Sequence, residues 1–389
     1  MYYNKDVLCL RFSDAAELLI PAQSHSMKGM RMTGSRVGDG SPDTPPPMHF
    51  REDPHRNESL KAAYLSELEA LIVRREEELA AARKARCADI LTHTEAHRKA
   101  YLDMLGWPLN ADLPRPTPNA EIIEELGDEG EYTVFRMRIE VLEGLWQTGL
   151  YYRLNSDERR PLVISQHGGA GTPELASGFY FDGSTVNYRD IVTGLLPHRV
   201  HVFMPALLLW DPAFYGQPYD RIRIDARLKR LGGSITALEV YAITRVLDYF
   251  EATVNPLSFG MVGLSYGGHY TLFTAAAEPR IRSAISSSFF SDRRQYAWPD
   301  WTWRDAAALY DDPEIACLCY PRRLCVETGD KDELFAVEYS QQATKEVIDY
   351  CKAAGIDPNS WFDSIVFPGI HEYNPDPAPV ERLIRDLES

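Results

Sequence analysis

Residues 263–268 read GLSYGG and lie between a short apolar run at 259–262 and a stretch without proline or glycine at 269–277. The apolar run predicts a buried strand, and the second stretch predicts a helix. A serine at a tight turn between strand and helix, with small residues two positions before and after it, is the pattern of a nucleophile elbow, which lifts the hydroxyl clear of the backbone. Three fixed residues arise by chance in about one chain of this length in ten. The flanking elements therefore carry the prediction that Ser265 is a nucleophile.

Candidate partners for this serine follow it along the chain, each after a predicted strand. Asp330 and Asp332 come after a stretch at 323–327, and His371 comes after another at 361–367. A histidine within hydrogen-bond reach activates a serine hydroxyl, and an acid holds the imidazole in one tautomer. The order serine, acid, histidine is that of the α/β-hydrolases and differs from the orders in chymotrypsin and subtilisin. Both aspartates lie on the correct loop and remain open as the acid.

A glycine-rich loop precedes the serine. Residues 161–165 predict a strand, and QHGGAG at 166–171 follows it. Because glycine has no side chain, Gly168 and Gly169 would let the backbone approach an ester closely. We expect the backbone N–H of Tyr266 and one N–H of this loop to face the oxyanion that develops during attack. A plain glycine turn after a strand is the alternative interpretation.

Taken together, these features resemble the α/β-hydrolase superfamily of serine esterases. The nearest branch contains acetyl-xylan-esterase-like and dienelactone-hydrolase-like proteins, and prolyl-oligopeptidase-type peptidases are more distant relatives. The resemblance covers about residues 130–389 and includes PRI at 279–281 and YPR at 320–322. It implies that Asp332, which keeps a Gly-x-x-Asp spacing similar to the family, is the acid, and that His167 is a structural histidine beside the oxyanion loop.

The chain departs from this branch in two respects. Dienelactone hydrolases use a cysteine nucleophile, whereas this chain has Ser265. The loop at 168–171 reads GGAG rather than the GGG of many lipases, which leaves the identity of its oxyanion donor open.

The remaining periodicity predicts an α/β fold. Alternation of polar and apolar residues around Glu143 and Gly144 predicts an antiparallel hairpin. Short apolar runs then alternate with helical stretches, which is typical of a mainly parallel sheet covered by helices on both faces. The predicted strands lie near 162–166, 200–206, 258–263, 282–288, 323–328 and 362–367. The predicted helices lie near 234–253, 267–277, 336–353 and 377–387.

Three segments differ in composition. Residues 1–57 are rich in Gly, Ser, Pro and Asp and predict a disordered tail. Residues 58–108 predict a helical extension with a break near Cys87, because a single helix would be too long for the domain. Residues 109–389 predict the α/β-hydrolase catalytic domain. The extension has three open roles: a cap over the site, an interface for a homo-oligomer, or a helical layer packed on the flank of the sheet.

Composition limits the partners. The net charge of −16 argues against nucleic acid and anionic membranes. No secretory signal is recognised at the first residues, and the six cysteines match no metal-ligand spacing, so free thiols and a cytoplasmic location are expected. His93 and His97 are four apart, but the glutamate between them is not at the metalloprotease position. We interpret both histidines as exposed helix residues and predict neither a metal nor a cofactor.

Aromatic residues are the only indications of substrate. Trp298 and Trp301 fall in an insertion after a predicted strand, and Trp210 and Tyr215 lie on a loop at the same predicted edge of the sheet. Flat aromatic faces suit sugars or aromatic esters. The alternative interpretation is that these side chains pack the insertions together.

The resulting prediction is a serine hydrolase that cleaves a small-molecule carboxylic ester through an acyl-enzyme. Family analogy favours a short acyl group such as acetyl. One alternative is a prolyl-oligopeptidase-like peptidase or amidase, although residues 1–130 lack the many short strands of a β-propeller. A second alternative is a non-catalytic hydrolase-like binding protein.

Overall fold

The computed structural model describes residues 54–179, 185–189, 191–209, 220–296 and 298–389. Backbone contacts divide the chain into two units, Met1–Leu65 and Ser66–Ser389. In the first unit the described residues form the beginning of helix α1 (Pro54–Arg86), and nearly all of the predicted tail at 1–57 lies outside the described residues. The sheet and the candidate site belong to the second unit.

One mixed sheet organises this unit. Its strands lie in the order β1-β2-β3-β5-β4-β6-β7-β8-β9. Strands β1 to β3 and the pairing of β3 with β5 are antiparallel, whereas β5, β4, β6, β7, β8 and β9 run parallel. The strand bounds are β1 (Ala120–Glu129), β2 (Tyr132–Leu142), β3 (Leu145–Leu154), β4 (Leu162–Gln166), β5 (His201–Pro205), β6 (Phe259–Leu264), β7 (Ile281–Ser287), β8 (Arg323–Gly329) and β9 (Phe362–Phe367). The predicted, mainly parallel sheet is confirmed.

Helices connect the strands. Those of four or more residues are α1 (Pro54–Arg86), α2 (Thr94–Leu105), α3 (Pro173–Ala176), α4 (Arg221–Arg230), α5 (Ile235–Thr253), α6 (Tyr266–Ala277), α7 (Ala306–Leu309), α8 (Asp312–Cys317), α9 (Val337–Ala354) and α10 (Ala378–Glu388). Single 3₁₀ turns lie at Thr185–Tyr188, Leu196–His198, Arg293–Gln295, Pro299–Trp301 and Pro358–Ser360. Within the described residues, no helix is long and apolar enough to cross a membrane.

The sheet is covered on both faces, as the apolar runs predict. Successive side chains of a strand point to opposite faces. In β6, Phe259 and Met261 belong to one buried cluster, with residues of α5, α6 and α9. Val262 and Leu264 belong to a second cluster, with residues of α10. Continuous apolar strands are therefore required because neither face meets water.

Strand β1 is not predicted by the sequence. Its residues AEIIEELGDE are nearly all exposed and show no alternation of polar and apolar side chains. It lies at the edge of the sheet, and its pairing with β2 shifts register twice, between Ile122 and Glu124 and between Glu125 and Gly127. An edge strand with bulges carries little hydrophobic pattern for sequence analysis to detect.

The helical extension breaks where the sequence predicts. α1 ends at Arg86, Cys87 follows in a turn, and α2 begins at Thr94. The interpretation of His97 as exposed is wrong, because this side chain is buried between Asp89 and Tyr310. His97 Nε2 lies 2.9 Å from Asp89 Oδ1, and Nδ1 lies 3.1 Å from the Tyr310 hydroxyl. His97 thus helps to hold α2 in place.

Candidate active site

Ser265 lies in a strained turn between β6 and α6. Its backbone has φ 59° and ψ −119°, a conformation that L-residues rarely adopt. The Ser265 N–H donates to Ser287 O of β7 at 2.9 Å, and its carbonyl accepts the first bond of α6 from His269. Every other residue from 259 to 277 is buried. The turn therefore exposes one side chain of this segment, and that side chain carries a hydroxyl.

Two glycines make this turn possible. A Cβ at Gly263 would lie 2.4 Å from Gly267 O, and a Cβ at Gly267 would lie 2.1 Å from Gln166 O. Both distances are far below van der Waals contact. The start of α6 therefore rests directly on the backbone at the end of β4, which requires glycine at both positions.

The structure pairs His371 with Asp332. His371 Nδ1 lies 3.0 Å from Asp332 Oδ2 and 3.2 Å from Oδ1. Asp332 Oδ1 also accepts the backbone N–H groups of Leu334 and Phe335, each at 2.9 Å. The Asp332 side chain is fully buried, whereas His371 keeps 12% of its side chain exposed. The acid is thus held rigidly and its histidine reaches the surface of the site.

Asp330, the other candidate acid, has a different partner. Its Oδ1 accepts the backbone N–H of Gly369 at 3.0 Å, and Lys331 N donates to Gly369 O at 2.8 Å. Asp330 therefore fixes the start of the histidine loop and makes no bond to the imidazole. The two aspartates have separate structural tasks.

The histidine loop and the elbow meet at the end of β7. The Ser265 N–H donates to Ser287 O, the last carbonyl of β7. Ser288 follows Ser287, and its hydroxyl donates to Glu372 O of the histidine loop at 3.1 Å. The ring of Phe335 also stacks on the His371 ring, with centroids 5.7 Å apart. The structure therefore brings the loops of Ser265 and His371 to one edge of the sheet.

Tyr188 organises the glycine-rich loop after β4. Its hydroxyl accepts the N–H of Gly168 at 3.1 Å and donates to Gly169 O at 3.3 Å. The Gly168 N–H is thereby engaged within the protein. A Cβ on Gly168 would also lie 3.1 Å from Ser265 Cβ, so this loop runs immediately beside the serine.

The direction of the Gly169 N–H is also defined. Gly168 O accepts a bond from Gly171 N at 3.3 Å and lies 3.0 Å from His167 Nδ1. In a trans peptide the N–H points opposite to the C=O of the same unit. The Gly169 N–H therefore points away from His167 and Gly171. Of the two glycine donors that the sequence predicts, Gly169 is the one whose N–H makes no bond among the described residues.

The segment Thr185–Arg189 joins both loops. Tyr188 binds the glycine-rich loop, Asn187 O accepts Tyr373 N at 2.8 Å, and Arg189 forms an ion pair with Glu372 at 2.6 Å. This segment has neither periodicity nor a known motif, so its sequence does not predict its role. Its place is visible only once distant loops are brought together.

His167 takes a structural place, as the resemblance implies. It is 1% exposed, and its Nε2 accepts the Leu207 N–H at 2.9 Å. Burial lowers the pKa of His167 to about 4, so the ring is neutral at pH 7. Because Nε2 accepts, the proton is on Nδ1 and is donated to Gly168 O.

Of the four aromatic residues that the sequence singles out for substrate, the structure describes Trp298 and Trp301. Trp298 is half-buried, and its ring stacks on Trp301 with centroids 4.5 Å apart. Trp301 is 1% exposed and packs on Tyr266 at 4.6 Å, so it supports the elbow and offers no surface to a substrate. Trp210 and Tyr215 lie outside the described residues. Of the two described tryptophans, Trp298 is thus the one that remains partly accessible near the elbow.

No three His, Cys, Asp or Glu side chains in the described parts of the chain lie close enough to hold a metal ion. His93 Nδ1 lies 3.0 Å from Asp89 Oδ2, whereas His97 contacts the other oxygen of that carboxylate, Oδ1. Five cysteines, Cys87, Cys317, Cys319, Cys325 and Cys351, are buried free thiols.

Glu327 is a buried carboxyl that sequence analysis does not find. It lies in β8 with 1% exposure, and its Oε1 accepts the Asn374 amide at 2.9 Å. Burial raises the pKa of Glu327 to about 7, against the opposing effect of the Asn374 hydrogen bond. Because Asn374 lies three residues after His371, this hydrogen bond to Glu327 holds the part of the loop that follows the histidine.

Replacing Glu327 with glutamine is expected to remove a pH-dependent loss of stability. A glutamate in the unfolded chain ionises near pH 4.5, whereas folded Glu327 ionises near pH 7. Between these values the unfolded state loses its proton first, so the wild-type free energy of unfolding falls as pH rises, by up to about 1.4 kcal/mol per pH unit. Glutamine keeps the acceptor for Asn374 and has no such slope.

The stability advantage of Glu327→Gln over the wild type should therefore grow from pH 4.5 to 7 and stay constant above pH 7. Urea unfolding curves of both proteins across this range measure the difference. A difference in unfolding free energy that stays the same from pH 4.5 to 7 would contradict the raised pKa of Glu327.

No protein-family model matches the chain, and no curated protein matches it. Among solved structures, a glucuronoyl esterase from Solibacter usitatus matches with a TM-score of 0.54 and 15% identity, over 77% of this chain and 92% of that one. A Bacteroides fragilis NCTC 9343 protein assigned as an acetyl xylan esterase matches with a TM-score of 0.54 and 13% identity, over 75% of this chain and 81% of that one. A methylesterase gives a TM-score of 0.53 and 17% identity, over 76% of this chain and 62% of its own.

These similarities confirm the predicted fold. The chain has the α/β-hydrolase fold, a mainly parallel sheet with helices on both faces, which it shares with these three solved structures.

Proposed function

We propose that this protein is a serine hydrolase that cleaves a carboxylic ester. The observation that carries the proposal is the arrangement at one edge of the sheet: a strained, partly exposed Ser265 beside a loop in which His371 is bound to buried Asp332. The esterase names of the structural neighbours agree with this activity. A binding protein would have no need of these three side chains together.

In the proposed mechanism His371 Nε2 takes the proton of the Ser265 hydroxyl as its oxygen attacks the ester carbonyl. Asp332 holds the Nδ1 proton and stabilises the imidazolium that forms. The N–H groups of Gly169 and Tyr266 stabilise the oxyanion, and His371 then gives its proton to the leaving alcohol. Water, activated by the same histidine, attacks the acyl-enzyme and releases the acid.

The acyl group is proposed to be short, such as acetyl. The half-buried ring of Trp298, whose centroid lies 5.8 Å from that of buried Tyr266, would bound the acyl group on one side. A Cβ at Gly168 would already meet Ser265, so little space exists on the loop side.

A graded series of p-nitrophenyl esters tests the proposal. We expect hydrolysis of acetyl and butyryl esters, with activity declining as the chain lengthens. A fluorophosphonate probe should label the protein, and peptide mass spectrometry should locate the adduct on Ser265. Absence of both turnover and labelling in the folded protein would overturn the proposal. Turnover of amino-acid anilides in preference to every ester would replace it by the amidase alternative.

Removal of the Tyr188 hydroxyl is expected to slow the reaction without weakening substrate binding. In Tyr188→Phe the Gly168 N–H and Gly169 O lose their partner, so the Gly169 N–H is less firmly aimed. We expect kcat to fall roughly 10-fold, less than for direct loss of an oxyanion donor, with KM little changed. Steady-state kinetics on p-nitrophenyl acetate measure both constants.

Tyr132→Phe is the matched control. Its hydroxyl also donates to one backbone carbonyl, Leu196 O at 2.8 Å, but lies away from the glycine-rich loop. If Tyr132→Phe and Tyr188→Phe reduce kcat equally, the proposed role of Tyr188 is wrong.

A further inference from the structure

A buried ionic cluster lies beside the elbow. It contains one cation and two carboxylates together with two tyrosines, and all five side chains are buried. The members are Arg221, Glu239, Tyr266, Tyr270 and Asp300. The proposed reaction uses none of these side chains, although it uses the backbone of Tyr266.

Arg221 is the centre of the cluster. Its Nε donates to Asp300 Oδ2 at 2.7 Å, and its Nη2 donates to Glu239 Oε2 at 3.1 Å and to the Tyr270 hydroxyl at 2.6 Å. Its Nη1 donates to Leu208 O at 2.7 Å. All three guanidinium nitrogens therefore donate hydrogen bonds, from different edges of one rigid plane.

One side of the cluster holds the residue after the nucleophile. The Tyr266 hydroxyl donates to Asp300 Oδ2 at 3.0 Å, the same oxygen that accepts Arg221 Nε. The Arg221 guanidinium also lies 5.5 Å from the Tyr266 ring centroid. The first residue of α6, whose N–H is a proposed oxyanion donor, is thus anchored through its own side chain.

The other side of the cluster leads to the glycine-rich loop. Leu208 is held at both backbone groups, because its carbonyl accepts from Arg221 and its N–H donates to Glu239 Oε1 at 3.0 Å. The preceding residue, Leu207, donates its N–H to His167 Nε2 at 2.9 Å. His167 in turn bonds to Gly168 O, the carbonyl that sets the direction of the Gly169 N–H.

We propose that Arg221 is a positioning residue that fixes the two halves of the oxyanion hole relative to each other. One arm runs through Asp300 to Tyr266, and the other runs through Leu208 and Leu207 to His167 and the glycine-rich loop. This inference rests on the proposed function, since the hole matters only if an oxyanion forms there. The arginine touches neither the substrate nor Ser265.

The chemistry of the cluster favours this role over simple stabilisation. Buried ion pairs often contribute less to stability than apolar side chains of the same volume, because both charges lose their hydration. Their geometry, in contrast, is strongly directional. A guanidinium can hold a carboxylate on one edge and a carbonyl on another at fixed angles, which a lysine ammonium cannot do.

Arg221→Lys tests the proposal because it keeps the positive charge and removes the planar fork. We expect kcat for p-nitrophenyl acetate to fall about 10- to 100-fold, since displacement of a reacting group by about 1 Å has effects of this size, while KM stays within about 3-fold. Amide hydrogen exchange of the free protein, measured by mass spectrometry, should become faster in both segments 163–171 and 264–269.

Arg98→Lys is the matched control. Arg98 is equally buried and also donates to backbone carbonyls, Ala276 O at 2.8 Å and Leu318 O at 2.7 Å, but at the opposite end of α6. It should lose thermal stability comparably and keep kcat. Equal losses of kcat in Arg98→Lys and Arg221→Lys, or faster exchange in only one of the two segments, would overturn the proposal.

Tyr266→Phe provides a second test if Arg221→Lys does not fold. It removes a single oxygen and should lower kcat about 5- to 10-fold with KM unchanged, whereas Tyr132→Phe should not. Full activity in Tyr266→Phe would contradict the arm through Asp300. Faster exchange in both segments of Arg221→Lys, combined with a wild type that hydrolyses no ester, would show that Arg221 couples the two segments but would overturn the proposed function and with it the role in an oxyanion hole.

Discussion

Ser265→Ala is expected to lower kcat for ester hydrolysis by about 10⁴-fold or more, with the protein still folded. Alanine removes the attacking oxygen, and the proposed reaction offers no other nucleophile on the exposed side of this turn. Residual turnover should come only from water attack aided by the N–H groups of Gly169 and Tyr266. The fold should persist because the bonds at this position are made by the backbone, from Ser265 N to Ser287 O and from His269 N to Ser265 O.

Ser258→Ala is the control for this variant. Ser258 lies immediately before the first residue of β6, whereas Ser265 follows the last one. The Ser258 hydroxyl donates to Leu387 O at 2.6 Å. It should lose some stability and retain kcat. Wild-type and variant rates on p-nitrophenyl acetate, together with intact-protein mass after fluorophosphonate treatment, decide the matter. Persistent labelling, or turnover close to the wild-type rate, in Ser265→Ala would place the nucleophile elsewhere.

Asp332→Asn is expected to have the second largest effect, a fall in kcat of about 10⁴-fold. The Leu334 and Phe335 N–H groups both donate to Oδ1, so the amide oxygen must occupy that place. The amide NH₂ then faces His371 Nδ1, where Oδ2 now lies at 3.0 Å. Nδ1 would have to become the acceptor, which puts the ring proton on Nε2 and prevents it from accepting the serine proton.

Asp330→Asn serves as the comparison. It removes a charge from the same loop and keeps an acceptor for the Gly369 N–H. We expect kcat to change by less than about 3-fold, in line with substitutions that leave a backbone hydrogen bond in place. A loss in Asp330→Asn as large as that in Asp332→Asn would mean that the loop charge as a whole, rather than the bond to His371, supports catalysis. Rates of Asp332→Asn measured between about pH 6 and 9 distinguish two causes of a low kcat. A changed imidazole tautomer lowers kcat at every pH, whereas a changed pH dependence lowers it over only part of the range.

Much of the α/β-hydrolase fold is readable from the sequence. The strands from β4 to β9 are short apolar runs because both faces of the sheet are covered, and this pattern predicts them nearly to the residue. The elbow is readable because close backbone contact demands glycine at 263 and 267. The pairing of His371 with Asp332 is indicated only by the family resemblance, because Asp330 and Asp332 are two residues apart on one loop and their positions alone do not distinguish them.

The parts that escape sequence analysis are long-range polar contacts. Tyr188 and Gly168 are 20 residues apart, and Arg221 and Asp300 are 79 apart. A buried polar side chain has no periodicity of its own and is chosen by partners that only the fold supplies. Edge strand β1 escapes for the opposite reason, since exposure removes the apolar pattern. His97 shows the same difficulty, because its burial depends on Tyr310, 213 residues later.

The turn between β1 and β2 bears on how this protein can be engineered. Gly130 has φ +64° and no atom within 4 Å of where its Cβ would be. Tyr132 pairs with Leu154, and Tyr152 pairs with Val202 near the start of β5, so this turn lies at the end of the sheet where the parallel strands begin. Exposed turns of this kind accept insertions with little cost. A reporter domain grafted there would be separated from the chemistry by the whole length of the strands.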